Sequence, residues 1–521
     1  MNTRYTQKQS PLRMTTLALV ALGITVAGCE IVQEASQEVH HVRITAHGDQ
    51  AAPIPGHYRS PIEAEAEDSN EYFDHGENDR ISTALERVST FSVDVNNASY
   101  TMARSALNAG RLPDPASVRA EEFINFFTYD YPAPTDGPFS IHTEVAPSYF
   151  GSHDDVERHL MKIGMQAREV AIDDMQHNNL VFLIDVSGSM RPEVRLPLAK
   201  RALHILLENL RPTDTVAIQT YASGTETLLE PTPVSDFHTI DQAIQSLVAE
   251  GGTFGEGGIR AAYDMAERAF VEGGNNRVII LTDGDFNVGK RGDDIVEIVK
   301  GFREREIALT SVGFGHGNHQ DHTMERLARE GNGNYFYIDT IEEAQRIFGT
   351  DLPSTLEIIA SDVRVQVEFN DDAVKSYRLI GYEKRVLDNE AFEDESTNAA
   401  EVGPGHNITA FYEVELHDGA VDLHESLAQI RIRYKEELLG HSLEVVESVH
   451  TEDIHRDFDH ASSQFRFAAA VAEFASALRH SEHVQGARFE EIHRVASDAR
   501  LPHESARQFL ELVTIANDLW E

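Results

Sequence analysis

Three polar side chains follow one apolar run near residue 180, at a spacing that suits a metal ion. Asp185, Ser187 and Ser189 come directly after residues 180–184, which read Leu-Val-Phe-Leu-Ile. A short apolar run followed by turn residues predicts a buried strand, and open α/β sheets bind ligands at the carboxyl ends of their strands. Carboxylate and hydroxyl oxygens are hard ligands, which suit Mg²⁺ better than zinc or copper. Taken alone, the pattern could also be a serine-rich turn.

Two further segments place polar side chains at the same predicted edge. Thr253 lies in a glycine-rich run, 250–258, and Asp283 ends a second apolar run, 277–282. Their order and spacing resemble the von Willebrand factor A (VWA) domain and its metal-ion-dependent adhesion site. The resemblance implies an α/β fold with a doubly wound, mostly parallel sheet. It also implies these ligand-bearing residues: Asp185, Ser187, Ser189, Thr253 and Asp283.

The ligand types indicate what such a site would do. Hydroxyls are neutral donors that leave a divalent ion electrophilic, and Mg²⁺ tolerates few protein ligands, so an outside carboxylate could complete its shell. We expect Mg²⁺, with Mn²⁺ or Ca²⁺ as alternatives, and a partner protein that presents an Asp or Glu. The expected function is protein docking without catalysis. The competing hypotheses are a metal-dependent hydrolase with Glu256 as its base, and a metal that only stabilises the fold.

Other metal-like patterns in the chain are weaker. Asp283-x-Asp285-x-Asn287 resembles the start of an EF-hand calcium loop, but Val288 stands where the turn glycine belongs. The Gly-rich run also lacks the Gly-Lys-Ser/Thr ending of a phosphate-binding loop.

Histidines supply two more patterns. His316, His319 and His322 have a spacing of three in a predicted loop, so a transition-metal site is an alternative to solvated histidines there. Glu490 and His493 have the spacing of a di-iron ligand pair, but such a site needs a second pair on a facing helix. We interpret this pair as a chance match.

The amino terminus predicts the compartment. Basic residues precede an apolar stretch, 17–28, and then Cys29, the only cysteine in 521 residues. The stretch is too short for a membrane-spanning helix and is typical of a signal peptide. Residues 26–29 (Val-Ala-Gly-Cys) resemble the bacterial lipobox, which implies that 1–28 are removed and that Cys29 is lipidated. A single cysteine excludes an internal disulfide.

These features predict a lipid-anchored protein of the bacterial cell envelope that faces the periplasm or the exterior. Glu30, in place of an Asp after the cysteine, favours the outer membrane. Lys and Arg number 44 against 87 Asp and Glu, which gives a formal net charge of -43. A field of that sign argues against nucleic acid and anionic lipid headgroups as partners. The membrane contact is therefore expected through the lipid anchor alone.

The length predicts roughly three domains. Residues 91–100 (Phe-Ser-Val-Asp-Val-Asn-Asn-Ala-Ser-Tyr) and 121–127 (Glu-Glu-Phe-Ile-Asn-Phe-Phe) resemble the amino-terminal region of the YfbK-type bacterial lipoproteins. Residues 381–390 and 402–410 resemble the carboxy-terminal region of the same family. The expected organisation is a signal peptide (1–28), an acidic flexible tether (29–87), a YfbK-type N-terminal region (88–175), a VWA domain (176–350) and a YfbK-type C-terminal region (351–521).

Hydrophobic periodicity predicts the elements that hold the site. Parallel strands are expected in the VWA domain near 179–185, 215–222, 277–283, 307–314 and 334–338. Alternating runs on either side of this domain predict further strands, and we expect both sets to share one β-sandwich into which the VWA domain is inserted. Within residues 119–131, helical spacing of Phe123, Ile124, Phe126 and Phe127 predicts that the aromatics are core residues. Similar patterns predict a small helical bundle at the C-terminus.

Overall fold

Strands and helices alternate through the middle of the chain, and strands recur on either side. The computed structural model describes residues 72, 74–150, 156–252, 255–284, 292–315, 321–395, 397, 399–420, 426–436, 441–484 and 486–520, without the side chains of 256, 292–294 and 321. Its strands are β1 (Ile81–Ser82), β2 (Val88–Ser92), β3 (Phe139–Pro147), β4 (His159–Ala167), β5 (Asn178–Asp185), β6 (Thr215–Tyr221), β7 (Thr225–Pro233), β8 (Asn275–Thr282), β9 (Ile307–Phe314), β10 (Tyr335–Ile338), β11 (Ala360–Phe369), β12 (Val374–Ile380), β13 (Val386–Leu387), β14 (Ala400–Val402), β15 (Asn407–Leu416), β16 (Ser426–Lys435) and β17 (Ser442–His450). Its helices are α1 (Ala98–Asn108), α2 (Ala120–Ile124), α3 (Leu196–Asn209), α4 (Phe237–Ser246), α5 (Gly255–Arg268), α6 (Gly292–Arg303), α7 (Asp321–Glu330), α8 (Ile341–Gln345), α9 (Leu352–Leu356), α10 (Ser463–Leu478), α11 (Phe489–Ala499) and α12 (Glu504–Trp520).

The central sheet has the order β10-β9-β8-β5-β6-β7. Its neighbours pair in parallel, except that β7 runs antiparallel to β6 at the edge. Strand β5 is buried along its whole length, as expected for a parallel strand covered on both faces. The predicted doubly wound sheet is confirmed, and each predicted parallel strand is present within about two residues. Strand β7 was not predicted.

Helices cover both faces of this sheet. Apolar residues of α3 and α4 pack on one face, and those of α5, α6 and α7 pack on the other. Helix α5 approaches the sheet closely at Gly258, where an added Cβ would lie 3.0 Å from a side-chain carbon of Leu183 and 3.1 Å from Tyr221 Cβ. The small residue therefore lets α5, and the loop that leads into it, lie against the carboxyl halves of β5 and β6.

Two more sheets form a sandwich from strands on both sides of the central domain. One has the order β1-β12-β15-β4-β3, and the other has the order β13-β2-β11-β16-β17. Their facing side chains form one core that includes Phe91, Met161, Val365 and Tyr412. The predicted insertion is confirmed, so the segments 88–175 and 351–521 build one structural unit instead of two.

The predicted tether ends earlier than position 87. Strand β1 pairs with β12, and the side chain of Asn78 donates hydrogen bonds to the carbonyls of Leu379 (3.1 Å) and Gly381 (2.7 Å). Arg80 forms an ion pair with Glu413. These contacts attach residues 78–82 to the sandwich, which corrects their assignment to a flexible segment.

Helices α10, α11 and α12 form the predicted C-terminal bundle, and they share a core with α1 and α2. Phe127 contacts Phe467 and Phe509 at ring-centroid distances of 5.0 and 5.6 Å, so the aromatics of 119–131 are core residues as predicted. Helix α2 ends at Ile124, so Phe126 and Phe127 lie beyond it. Asn125 is the C-cap residue of α2. Its side-chain Oδ1 accepts a hydrogen bond from the backbone N–H of Thr409, in the sandwich, at 2.7 Å.

No helix in the described part of the chain is long and apolar enough to span a membrane.

Candidate metal centre

Four of the five predicted ligands are described, and they lie at the carboxyl edge of the central sheet. Asp185 is the last residue of β5, and Asp283 directly follows β8, its parallel neighbour. Ser187 and Ser189 lie in the turn that leaves β5. Because carboxyl ends of adjacent parallel strands meet at one edge, the two carboxylates and two hydroxyls come together here.

Thr253 lies outside the described residues, but the chain just before it is fixed. The backbone N–H of Glu250 donates to the carbonyl of Val186 at 2.7 Å, and the N–H of Gly188 donates to the carbonyl of Gly251 at 3.0 Å. These two bonds hold the start of the glycine-rich loop against the turn between Asp185 and Ser189. The loop that bears Thr253 therefore begins at the site.

Asp185 is fully buried, and both of its carboxylate oxygens accept hydrogen bonds. Oδ1 accepts from the backbone N–H of Ser187 at 2.8 Å, while Oδ2 accepts from the hydroxyls of Tyr221 at 3.1 Å and Thr282 at 3.2 Å. Burial raises the pKa of Asp185 to about 6, although the bonds from Ser187 and Tyr221 lower it. A bound cation would stabilise the charged form that burial disfavours.

The two serine hydroxyls are spaced as neighbouring ligands of a small ion. Ser187 Oγ and Ser189 Oγ are 2.9 Å apart and form a hydrogen bond with each other. Adjacent oxygens of an octahedral Mg²⁺ shell, with bonds of about 2.0–2.1 Å, are separated by about 2.9 Å. The donor set therefore fits a small hard cation in spacing as well as in chemistry.

Asp283 is buried and is held by a cation of the chain itself. Arg195 Nη1 lies 2.6 Å from Asp283 Oδ2 and also donates to the carbonyl of Ser189 at 2.8 Å. The stem of Arg195 lies against Gly315, where an added Cβ would come within 2.4 Å of Arg195 Cγ. The guanidinium thus occupies a defined position beside one of the predicted metal ligands.

Sequence reasoning did not find Arg195, Tyr221 or Thr282. Tyr221 and Thr282 are the last residues of β6 and β8, so their positions at the carboxyl ends of predicted strands were a usable signal. Arg195 lies between the Asp185 turn and helix α3, and nothing in its spacing marked it.

The weaker metal candidates gain no support. His316, His319, Asp285 and Asn287 lie outside the described residues, as does the side chain of Glu256. Among the residues that are described, the groups of three close metal-ligating side chains are Glu77, Glu482 and His483, and Asp94, Glu121 and Glu122. His322, Glu490 and His493 therefore belong to no such group.

Family models match most of the chain. A von Willebrand factor type A domain model matches residues 179–350, the model described as "Uncharacterized protein YfbK, C-terminal" matches 354–519, and a model described as "von Willebrand factor" matches 66–158. VWA domains commonly bind a divalent metal and mediate protein–protein interaction.

Individual proteins are similar to this chain over different shares of its length. The chain is 36% identical over 457 residues to "Uncharacterized protein YfbK" of Escherichia coli (strain K12), covering 82% of this chain and 78% of that protein. It is 29% identical over 210 residues to inter-alpha-trypsin inhibitor heavy chain H3 of Mesocricetus auratus, covering 38% and 23%. A solved structure, "von Willebrand factor type A from Catenulispora acidiphila", covers 76% of this chain and 89% of its own at 14% identity and a TM-score of 0.43. On the first of these relatives and the C-terminal model, the chain belongs to the YfbK family and contains a VWA domain.

Proposed function

We propose that this protein docks a partner protein through a Mg²⁺ ion held at the carboxyl edge of its VWA sheet. The ligands would be Asp185, Ser187, Ser189, Thr253 and Asp283. The observation that carries the proposal is the 2.9 Å separation of the two serine hydroxyls beside a fully buried Asp185. When bound, the ion supplies an electrophilic position that accepts an oxygen from outside the chain.

The charges around the site favour an outside carboxylate as that oxygen donor. Asp185 and Asp283 contribute two negative charges, and Arg195 compensates one of them through its ion pair with Asp283. With a divalent cation present, the site keeps a net positive charge inside a chain whose formal charge is -43. An Asp or Glu of a partner would balance this charge at the ion and meet repulsion elsewhere on the surface, which makes the contact specific to the site.

We assign no catalytic residue to the site. A hydrolase would need a group that takes a proton from metal-bound water. Asp185 already accepts three hydrogen bonds, and Tyr221 is fully buried with its hydroxyl directed at Asp185. The hydrolase and the purely structural metal are the alternatives, and the experiment below separates the structural metal from docking.

We also propose that the chain is a lipoprotein of the cell envelope, anchored through Cys29. This proposal rests on residues 1–29 alone, because they lie outside the described residues. Cys29→Ala should move the protein from the membrane fraction to the soluble fraction. Retention of this variant in the membrane fraction would contradict the lipid anchor.

The docking proposal is tested by capture from envelope extract with immobilised protein, in Mg²⁺ and after chelation. The variants are Asp185→Ala and a matched control, Asp264→Ala, which removes an exposed carboxylate from helix α5 of the same domain. We expect a defined protein to be captured by wild type and by the control in Mg²⁺, and to be lost with Asp185→Ala or chelation. Replacing one acidic residue of the captured protein by its amide should then abolish capture.

Two other results would contradict docking. Capture that persists after chelation would mean that the interaction is independent of the metal. If nothing is captured and chelation only lowers the melting temperature, then the metal is structural.

A further inference from the structure

A cavity of about 350 Å³ lies at the opposite end of the VWA sheet. Its walls come from the amino-terminal ends of β8 and β9, the last turn of α6, and residues 356–358, which lead from α9 toward the sandwich. Its volume is within the range of small-molecule sites. Strand β8 begins at Asn275, eight residues before Asp283, so this end lies roughly 26 Å from Asp283 at a rise of about 3.3 Å per residue.

Arg277 lines this cavity and is almost completely buried, with 2% of its surface exposed. Its Nη1 donates to Thr310 Oγ1 at 2.8 Å and its Nη2 donates to the carbonyl of Leu356 at 3.0 Å, whereas its Nε has no hydrogen-bond partner. No carboxylate of the described residues lies within ion-pair distance of it. Burying a charged guanidinium without a counterion is costly, and burial lowers the pKa of Arg277 to about 10.

Arg303 brings a second guanidinium to the same cavity. It is the last residue of helix α6, where a positive charge is favourable at the negative end of the helix dipole. The helix dipole explains why a basic residue stands at this position. It does not explain why Nη1 is buried and has no hydrogen-bond partner. Within the described residues, Arg303 also makes no ion pair, so two guanidiniums with unused donors line one cavity.

The acidic groups near the cavity do not act as counterions for Arg277 and Arg303. Glu306 lines the cavity but is exposed to solvent. Glu357 also lines it and has contacts of its own, but its buried Oε2 accepts no hydrogen bond from either arginine. Glu401 is close enough to raise the pKa of Arg277, but its effect is smaller than the lowering by burial. Neither Arg277 Nε nor Arg303 Nη1 donates to any of these carboxylates.

We propose that this cavity is an anion-binding site, in which Arg277 and Arg303 bind the carboxylate or phosphate group of a small molecule. Guanidiniums with free N–H groups in a partly desolvated site bind such oxyanions through charge-assisted hydrogen bonds. The site is distinct from the metal centre and has the opposite ligand charge. An anion there would contact both the VWA domain and the segment that leads into the sandwich.

The test uses the full chain after chelation and dialysis, so that the metal centre does not contribute. Inorganic phosphate and acetate are titrated separately at constant ionic strength, and binding is measured by calorimetry and by ³¹P NMR for phosphate. The main variant is Arg303→Gln. The control is Arg305→Gln, two residues on, which is 59% exposed and paired with Glu267.

We expect saturable binding of at least one anion to wild type and to Arg305→Gln, and binding weaker by about tenfold or more in Arg303→Gln. The stronger of the two anions identifies the ligand class. Absence of saturable binding of both anions to wild type would overturn the proposal. Equal binding to wild type and Arg303→Gln would also overturn it.

A second variant tests the position without removing a charge. Ala308 lines the cavity from β9, and Ala308→Leu would fill it while keeping both arginines. We expect this variant to keep its melting temperature and to lose anion binding, whereas Asp185→Ala should bind the anion as wild type does. Loss of anion binding in Asp185→Ala would place the anion at the metal centre and contradict the proposal.

Discussion

The two ends of the VWA sheet carry side chains of opposite charge, and these side chains differ in how fully they are hydrogen-bonded and paired. At the carboxyl end, both oxygens of Asp185 accept hydrogen bonds and Asp283 is paired with Arg195. At the amino-terminal end, Arg277 and Arg303 keep unused donors and have no ion-pair partner among the described residues.

This difference follows from how the two ends are built. The carboxylates receive donors from the segment after β5, which supplies Ser187 and Arg195, and from Tyr221 and Thr282, the last residues of β6 and β8. The arginines lie where strands begin and where another segment, 356–358, closes over them. Under the two proposals, one rigid sheet separates two sites of opposite ligand charge, so that each can be altered without the other.

The largest effect should come from Asp185→Asn. The amide keeps the shape of the side chain but removes the charge that a divalent cation needs, so we expect Mg²⁺ affinity to fall by about 100-fold or more. The Mg²⁺-dependent rise in melting temperature should disappear, while phosphate binding at the other end stays unchanged. Calorimetric titration with each ion measures both quantities. Undiminished Mg²⁺ binding would exclude Asp185 as a ligand.

The next effect concerns how tightly the amino-terminal end is packed. An added Cβ at Gly333 would lie 2.0 Å from the carbonyl oxygen of Leu309 in β9, so Gly333→Ala should lower the free energy of unfolding by about 2 kcal/mol. Gly301→Ala is the control, because that position in α6 faces open space and alanine should stabilise the helix by about 0.5–1 kcal/mol. Scanning calorimetry of both variants measures the difference. Equal stability of the two would mean that this end is loosely packed.

Arg195→Gln should make the charge at the carboxyl end of the sheet more negative. Removing the cation that pairs with Asp283 leaves the site more negative, so we expect Mg²⁺ to bind about tenfold more tightly and an outside carboxylate to bind more weakly. Arg191→Gln is the control, since Arg191 donates to the carbonyl of Ala249 instead. Weaker Mg²⁺ binding in Arg195→Gln would indicate that Arg195 acts mainly by orienting Asp283.

The smallest effect concerns Glu121, a buried carboxyl group that belongs to neither end of the VWA sheet. Glu121 is fully buried, and neither of its side-chain oxygens makes a hydrogen bond of normal geometry. Its neighbours Asp94 and Glu122 are paired with Arg385 and Arg119, so the unbalanced charge belongs to Glu121 itself. Burial raises the pKa of Glu121 well above the usual 4.5, and we expect a bound proton there instead of a ligand.

The sign of the resulting pH dependence is fixed. As the pH rises above about 4.5, the unfolded chain loses this proton before the folded protein does, so stability decreases with rising pH. Glu121→Gln mimics the protonated form and should remove that decrease, with a gain on the order of 1 kcal/mol at pH 8 and little gain near pH 4.5. Melting curves across this range test it, with Glu193→Gln, an exposed glutamate, as the control. A pH-independent difference between wild type and Glu121→Gln would contradict a raised pKa.

Local patterns predicted the VWA sheet better than its edge. Strand β5 is a continuous apolar run, and its bounds follow from that run alone. Strand β7 is mostly exposed, with Leu229 as its buried residue, so it has little hydrophobic pattern to recognise. Its pairing depends on β6 and not on its own burial.

Features that depend on contacts between distant segments could not be predicted from the sequence. Strand β2 pairs with β11 more than 250 residues later, and no local pattern specifies such a register. At the site, Asp185, Ser187 and Ser189 form one recognisable motif, but Arg195 reaches Asp283 only because the turn after β5 and the loop after β8 meet in space. The ligand assignment itself stays a prediction, since Thr253 is outside the described residues.

The most direct measurement is the anomalous difference density of crystals grown with Mn²⁺, which substitutes for Mg²⁺ in oxygen sites. We expect one strong peak beside the hydroxyls of Ser187 and Ser189, close to Asp185 and Asp283. A map with no peak there, or with its main peak at another group of carboxylates such as Asp94, Glu121 and Glu122, would contradict the central claim.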